Sequence, residues 1–211
     1  LVSHPNQLLV WQILGASRKH QRRFAESLQA FLKCVDISPH NEGNYNNLGI
    51  ILQELGRFEE AQAAYTQSLK INPNLAEAHN NNGNLLRKTG KLEGAAGHFQ
   101  QAISLQPEYA DAYCNLAVTN CLLGKFDEAE VSCHLAISIN RNYAEAYFTL
   151  FTIKALMGEL EGVLPLHEWR FKLMSGATRA PRPHFTWNGQ DDVSGKHFVV
   201  YEEQGLGDII Q

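Results

Sequence analysis

Three asparagines recur at a fixed interval: Asn47, Asn81 and Asn115, each 34 residues after the last. A side-chain amide both donates and accepts hydrogen bonds, so a row of amides can hold the backbone of an extended polypeptide without reading its side chains. The same amides can instead bond neighbouring backbone and pin helix packing, and the sequence leaves both uses open. Asn46, Asn80 and Asn84 add amides beside them, and Arg87 with Lys88 supplies a basic pair. A second stretch with chemical potential is Gly205-Leu206-Gly207-Asp208, which follows the run from His197 to Glu202. It reads as a strand, a glycine turn and a helix start, the first half of a βα unit. Such turns let backbone N–H groups approach a phosphate. A complete G-x-G-x-x-G is missing, however, and any βα turn could carry these residues.

Other chemistries find little support. The nine histidines include no H-E-x-x-H and no pair at ligand spacing, so no metal site and no cofactor is implied. Cys34, Cys114, Cys121 and Cys133 form no C-x-x-C pair. Cys114 and Cys121 lie about 10 Å apart along one helix face, too far for a disulfide. They read as reduced thiols of a cytoplasmic protein. A net charge of -4 offers no strong field for nucleic acid or anionic membrane. No apolar run reaches the ~18 residues a membrane span needs, and the first residues lack the pattern of a signal peptide. With 44% apolar and 19% charged residues, the chain is expected to fold.

The interval of 34 that spaces the asparagines runs through the whole chain. It links Pro5, Pro39, Pro73 and Pro107, then Gly15, Gly49 and Gly83, then Gly56, Gly90, Gly124 and Gly158. Trp11, Tyr45, His79, Tyr113 and Tyr147 keep an aromatic beat, while Leu14, Leu48, Leu116 and Leu150 keep an aliphatic one that Asn82 interrupts. Ala61, Ala95 and Ala129 hold one more register, and Phe31, Tyr65 and Phe99 another. Such self-similarity marks a repeat array. "YNNLGIILQELG" and "FEEAQAAYTQSLKI" each space apolar residues as amphipathic helices do. Gly56 suits the left-handed end of the first helix, and Pro73 stops the second. One such hairpin cannot bury its apolar face alone, so neighbours must stack.

These residues resemble the tetratricopeptide repeat (TPR). The resemblance implies an all-α, right-handed superhelical solenoid with repeats at 8–41, 42–75, 76–109 and 110–143, and a degenerate capping repeat at 144–175. Residues 1–7 read as the remnant of a preceding repeat. In the capping repeat Pro165 either kinks the second helix or opens a new one. In this fold the first helix of each repeat lines a concave groove, and Asn47, Asn81 and Asn115 are then expected side by side along it. The array is similar to the asparagine-lined superhelix of O-linked N-acetylglucosamine transferases. The implied partner is an extended protein or peptide client in the groove, with self-association through the array ends or the tail as a further possibility. Gln12 and Ala16 stand at first-repeat positions where the carboxylate clamp of chaperone-binding relatives would need basic residues, so a clamp for an acidic C-terminus is not expected. The apolar stripe Val118, Cys121, Leu122, Phe148 and Leu156 is expected to be packed, part of it under the C-terminal segment.

After Gly176 the composition shifts, and 176–196 reads as a linker. Together with "FTWNG", the run "EEQGLGDIIQ" resembles bacterial TPR proteins that carry a heptosyltransferase-like, two-Rossmann-domain transferase. On that resemblance 197–211 is the truncated start of such a domain, and Asp208 matches the residue that would serve as base in an intact parent. One strand cannot form a parallel sheet, so this chain by itself is expected to be no enzyme. The expected function is a protein-interaction module, the substrate-recruiting arm of a larger glycosyltransferase-like protein. The alternatives are a transferase defined by the missing domain and a self-associating scaffold.

Overall fold

The computed structural model describes residues 5–159, 161 and 163–169. They form α1 (Pro5–His20), α2 (Phe24–Ile37), α3 (Glu42–Glu54), α4 (Phe58–Ile71), α5 (Ala76–Lys88), α6 (Leu92–Leu105), α7 (Ala110–Leu122), α8 (Phe126–Ile139), α9 (Ala144–Leu156) and the short α10 (Leu164–His167). No strand occurs among the described residues. None of these helices is long and apolar enough to cross a membrane. The linker 176–196 and the segment 197–211, with Gly205, Gly207 and Asp208, lie outside the described residues.

Odd- and even-numbered helices pair into hairpins, each packed on the next, and the odd-numbered helices α3, α5, α7 and α9 also touch in succession. The solenoid expected from the interval of 34 is the observed fold. Pro5 stands at the start of α1, where proline's fixed φ suits a first helical turn. Proline is not what ends the even-numbered helices. α4 and α6 stop two residues before Pro73 and Pro107, yet α8 stops at the same register, where Arg141 replaces proline.

The core lies between the two helices of each hairpin. A Cβ added to Gly15, Gly49 or Gly83 would come within 2.8, 2.6 or 2.7 Å of the ring of Phe31, Tyr65 or Phe99. Glycine therefore permits the close approach that buries an aromatic ring in the first three hairpins. The fourth hairpin has Ala117 and Cys133 at these two places, both fully buried in one cluster. In the fifth the places fall to Phe151 and His167, whose rings lie 4.6 Å apart. The degenerate unit has thus kept its register. Val163, where the other repeats carry Ala61, Ala95 and Ala129, is buried as they are. Pro165 stands in the first turn of α10, so the helix restarts there instead of kinking.

Each hairpin turn closes through one backbone bond of 2.9 Å: Arg23 N–H to Arg18 O, Arg57 to Leu52, Lys91 to Leu86, Lys125 to Asn120 and Glu159 to Lys154. This closure needs a left-handed residue just before the donor. Four turns place glycine there, Gly56, Gly90, Gly124 and Gly158, with φ between 74° and 78°. The first places Arg22 there, at φ 58°, where a Cβ costs about 1–2 kcal/mol.

Candidate functional site

The odd-numbered helices carry the asparagines that the sequence singles out. Asn81 on α5 donates through Nδ2 to Oδ1 of Asn46 on α3 at 3.0 Å, and Asn115 on α7 donates likewise to Asn80 on α5 at 3.0 Å. Both bonds span 35 residues and tie one repeat to the next. One register further the pair is Cys114 and Thr149, sulfur to hydroxyl at 4.0 Å. Asn46 and Asn80 are buried, 2% and 5% exposed, and are the acceptors of these two bonds. Asn47, Asn81 and Asn115 are half-buried.

A primary amide has two donor hydrogens and an acceptor oxygen. The inter-repeat bond takes one hydrogen of Asn81 and one of Asn115, which fixes each amide's orientation and leaves its carbonyl oxygen for another partner. Asn47 makes no such bond among the described residues, because Gln12, at the place 35 residues earlier, donates to Asn44 Oδ1 instead at 2.8 Å. Asn44 is fully buried with both polar atoms of its side chain engaged: Nδ2 donates to Cys34 O at 3.1 Å while Oδ1 accepts from Gln12, and its backbone N–H is capped by Asn41 Oδ1 at 3.0 Å. Asn44 is absent from the residues singled out by spacing, its only signal being that it displaces the alanine of Ala78, Ala112 and Ala146.

Six residues beyond Asn47 and Asn81 stand Gln53 and Arg87. Gln53 Oε1 and Arg87 Nε are buried without a hydrogen-bond partner among the described residues. Arg87 uses Nη2 to donate to Asn84 Oδ1 at 3.0 Å. Burial disfavours its charge and lowers its pKa, an effect that nearby Cys114 opposes. Lys88 Nζ lies over the Phe58 ring, 5.3 Å from the centroid, a cation–π arrangement.

The apolar stripe is divided. Val118, Cys121 and Phe148 are half-buried, whereas Leu122 and Leu156 stand 59% and 60% exposed. The rings that become covered are Tyr147, stacked on Trp169 at 3.9 Å, and Phe151 against His167. The thiols are chemically quiet. Burial pushes Cys114 up to about 11 and raises Cys133 further, and the described residues contain no cluster that could hold a metal.

The tetratricopeptide repeat profile matches residues 45–75 and 110–143, and a second TPR profile matches 83–124. Residues 45–75 and 83–143 therefore carry tetratricopeptide repeats. No curated protein sequence matches it. Solved TPR structures share its fold at low identity. PilF of Pseudomonas aeruginosa is 19% identical, with 83% of this chain and 78% of that one covered and a TM-score of 0.71. TTC0263, a thermophilic TPR protein of Thermus thermophilus, is 19% identical, with coverages of 81% and 93% and a TM-score of 0.69. YrrB, described as a TPR protein with an unusual peptide-binding site, is 15% identical, with coverages of 77% and 84% and a TM-score of 0.59.

Proposed function

We propose that the array is a protein-interaction module that holds an extended polypeptide along the row Asn47, Asn81 and Asn115. The observation that carries this reading is the divided use of the ladder amides. One hydrogen of Asn81 and one of Asn115 pin the side chain to the neighbouring repeat, and the remaining carbonyl and N–H match the alternating groups of a peptide backbone. The packing and binding roles are then the two halves of one amide. YrrB, of like fold, is described as having a peptide-binding site.

The test is selection of extended peptides from a random library on the full chain, followed by binding measurements on Asn47→Ala. Asn47 is the informative position because no inter-repeat bond is lost with it.

We read the module further as the recruiting arm of a glycosyltransferase-like protein. The support is the sequence around Gly205, Gly207 and Asp208, in the resemblance already described. In the intact parent, sugar transfer from a nucleotide-sugar is expected to be lost in Asp208→Asn while peptide capture persists. Transfer unchanged by that substitution would remove Asp208 as the base.

A further inference from the structure

In four of the five hairpins the places beside the odd-numbered helix carry an aromatic residue, a leucine and a small or aliphatic residue, as with Tyr45, Leu48 and Ala64. In the third hairpin all three places are polar at once: His79, Asn82 and His98. They form one hydrogen-bonded chain. His79 Nε2 lies 3.0 Å from Pro73 O, His79 Nδ1 lies 3.0 Å from His98 Nδ1, Asn82 Nδ2 lies 3.2 Å from His98 Nε2, and Gln62 Nε2 donates to Asn82 Oδ1 at 2.9 Å. The chain joins α5 to α6 and reaches back to α4 and to the connection before α5. Asn82 is 3% exposed.

The acceptor at one end fixes every hydrogen. A carbonyl only accepts, so Pro73 O requires the hydrogen of His79 on Nε2, and neutral His79 then accepts at Nδ1. His98 must carry its hydrogen on Nδ1 and accept at Nε2 from Asn82. An added proton sets two donors face to face, either between the Nδ1 atoms or at Asn82. Turning over Asn82 only passes the conflict to Gln62, which must turn as well. A second proton leaves no arrangement, because both Nδ1 atoms, 3.0 Å apart, would then carry hydrogens.

We propose that the joint between the second and third repeats is proton-operated: uptake of protons by the His79–His98 pair breaks the Nδ1···Nδ1 contact and loosens α6 from α5, Gln62 and Pro73. Such a network is costlier to bury than the Tyr-Leu-Ala filling that the array uses elsewhere, and it confers a response that filling lacks. Burial, and after it the neighbouring His79, holds the pKa of His98 below its ordinary value. Among the described residues no charge from α4, α6 or α7 adds to the effect of His79. The sign follows. The unfolded chain binds protons that the folded joint refuses, so the joint's full stability is present above about pH 6.5 and falls as pH drops below it, down to the folded value of His98.

The test is amide hydrogen exchange on the full chain at pH 7.5 and pH 5.0, corrected for the intrinsic pH dependence of exchange. The amides of α5 and α6 are expected to open severalfold more at pH 5.0, relative to those of α3 and α4. The variant H79Y/N82L/H98A, which copies the second repeat's own residues, is expected to lose that difference. Equal responses of the wild type and this variant would overturn the proposal. Imidazole NMR titration of the wild-type chain gives an independent reading: His98 should titrate below the ordinary histidine range. Titration of His98 at the ordinary histidine value would also overturn it.

Discussion

In the second repeat Tyr45, Leu48 and Ala64 meet beside Gly49; 34 residues on, His79, Asn82 and His98 hold the same places beside Gly83. The backbone takes no notice. Both repeats run two helices of 13 and 14 residues, and both seat a buried ring within 3 Å of where a glycine Cβ would lie. Both close the turn through a left-handed glycine. What differs is the filling. A hollow of about 320 Å³ lies against Leu28, Leu32, Tyr45, Leu48 and Ala64, whereas in the third repeat the imidazole of His98, standing where Ala64 stands, occupies the corresponding register. The comparison separates two layers of information: glycine, ring and turn set the hairpin, and the remaining contact positions are free to acquire other chemistry.

The same pair of repeats separates packing from binding in the asparagine row. Asn81 of the third repeat is pinned to Asn46 of the second, and Asn47 of the second is not pinned. Asn81→Ala strands the buried Asn46 carbonyl and should cost about 1–3 kcal/mol in urea unfolding, while Asn47→Ala should stay within about 0.5 kcal/mol of wild type. Equal costs would erase the distinction between the two rungs. A smaller effect tests the frame that the repeats share. Gly56 and Gly90 take left-handed conformations without strain, and Arg22 takes one with it. Arg22→Gly should therefore stabilise the first hairpin by about 1 kcal/mol, read as a raised melting temperature. No change, or a loss, would show that the Arg22 side chain offsets its backbone strain.

The frame was legible because it repeats. Gly56, Gly90, Gly124 and Gly158 announce their turns through spacing alone, and Gly15, Gly49 and Gly83 announce the rings that cover them. The fifth hairpin was half legible. Its register survives at Val163 and His167, but loss of the alanine hid it, and stacking of Trp169 on Tyr147 depends on contacts that no interval reveals. The site was legible as a row of amides but not as a set of bonds. That Asn46 and Asn80 serve as buried acceptors follows from a 35-residue offset, one more than the repeat, which pairs different positions of neighbouring helices. In the sequence the His79–His98 chain shows only as an interruption of the leucine register at Asn82. Its four members come from three elements, and only their side-chain geometry shows that they share hydrogens.

The most direct measurement of the proposed function is the affinity of the full chain for a library-selected extended peptide, taken beside the melting temperature, for wild type and Asn47→Ala. Loss of one backbone hydrogen bond predicts affinity weakened about three- to tenfold, with an unchanged melting temperature. Unchanged affinity with a lowered melting temperature would contradict the account and return the asparagine row to packing alone.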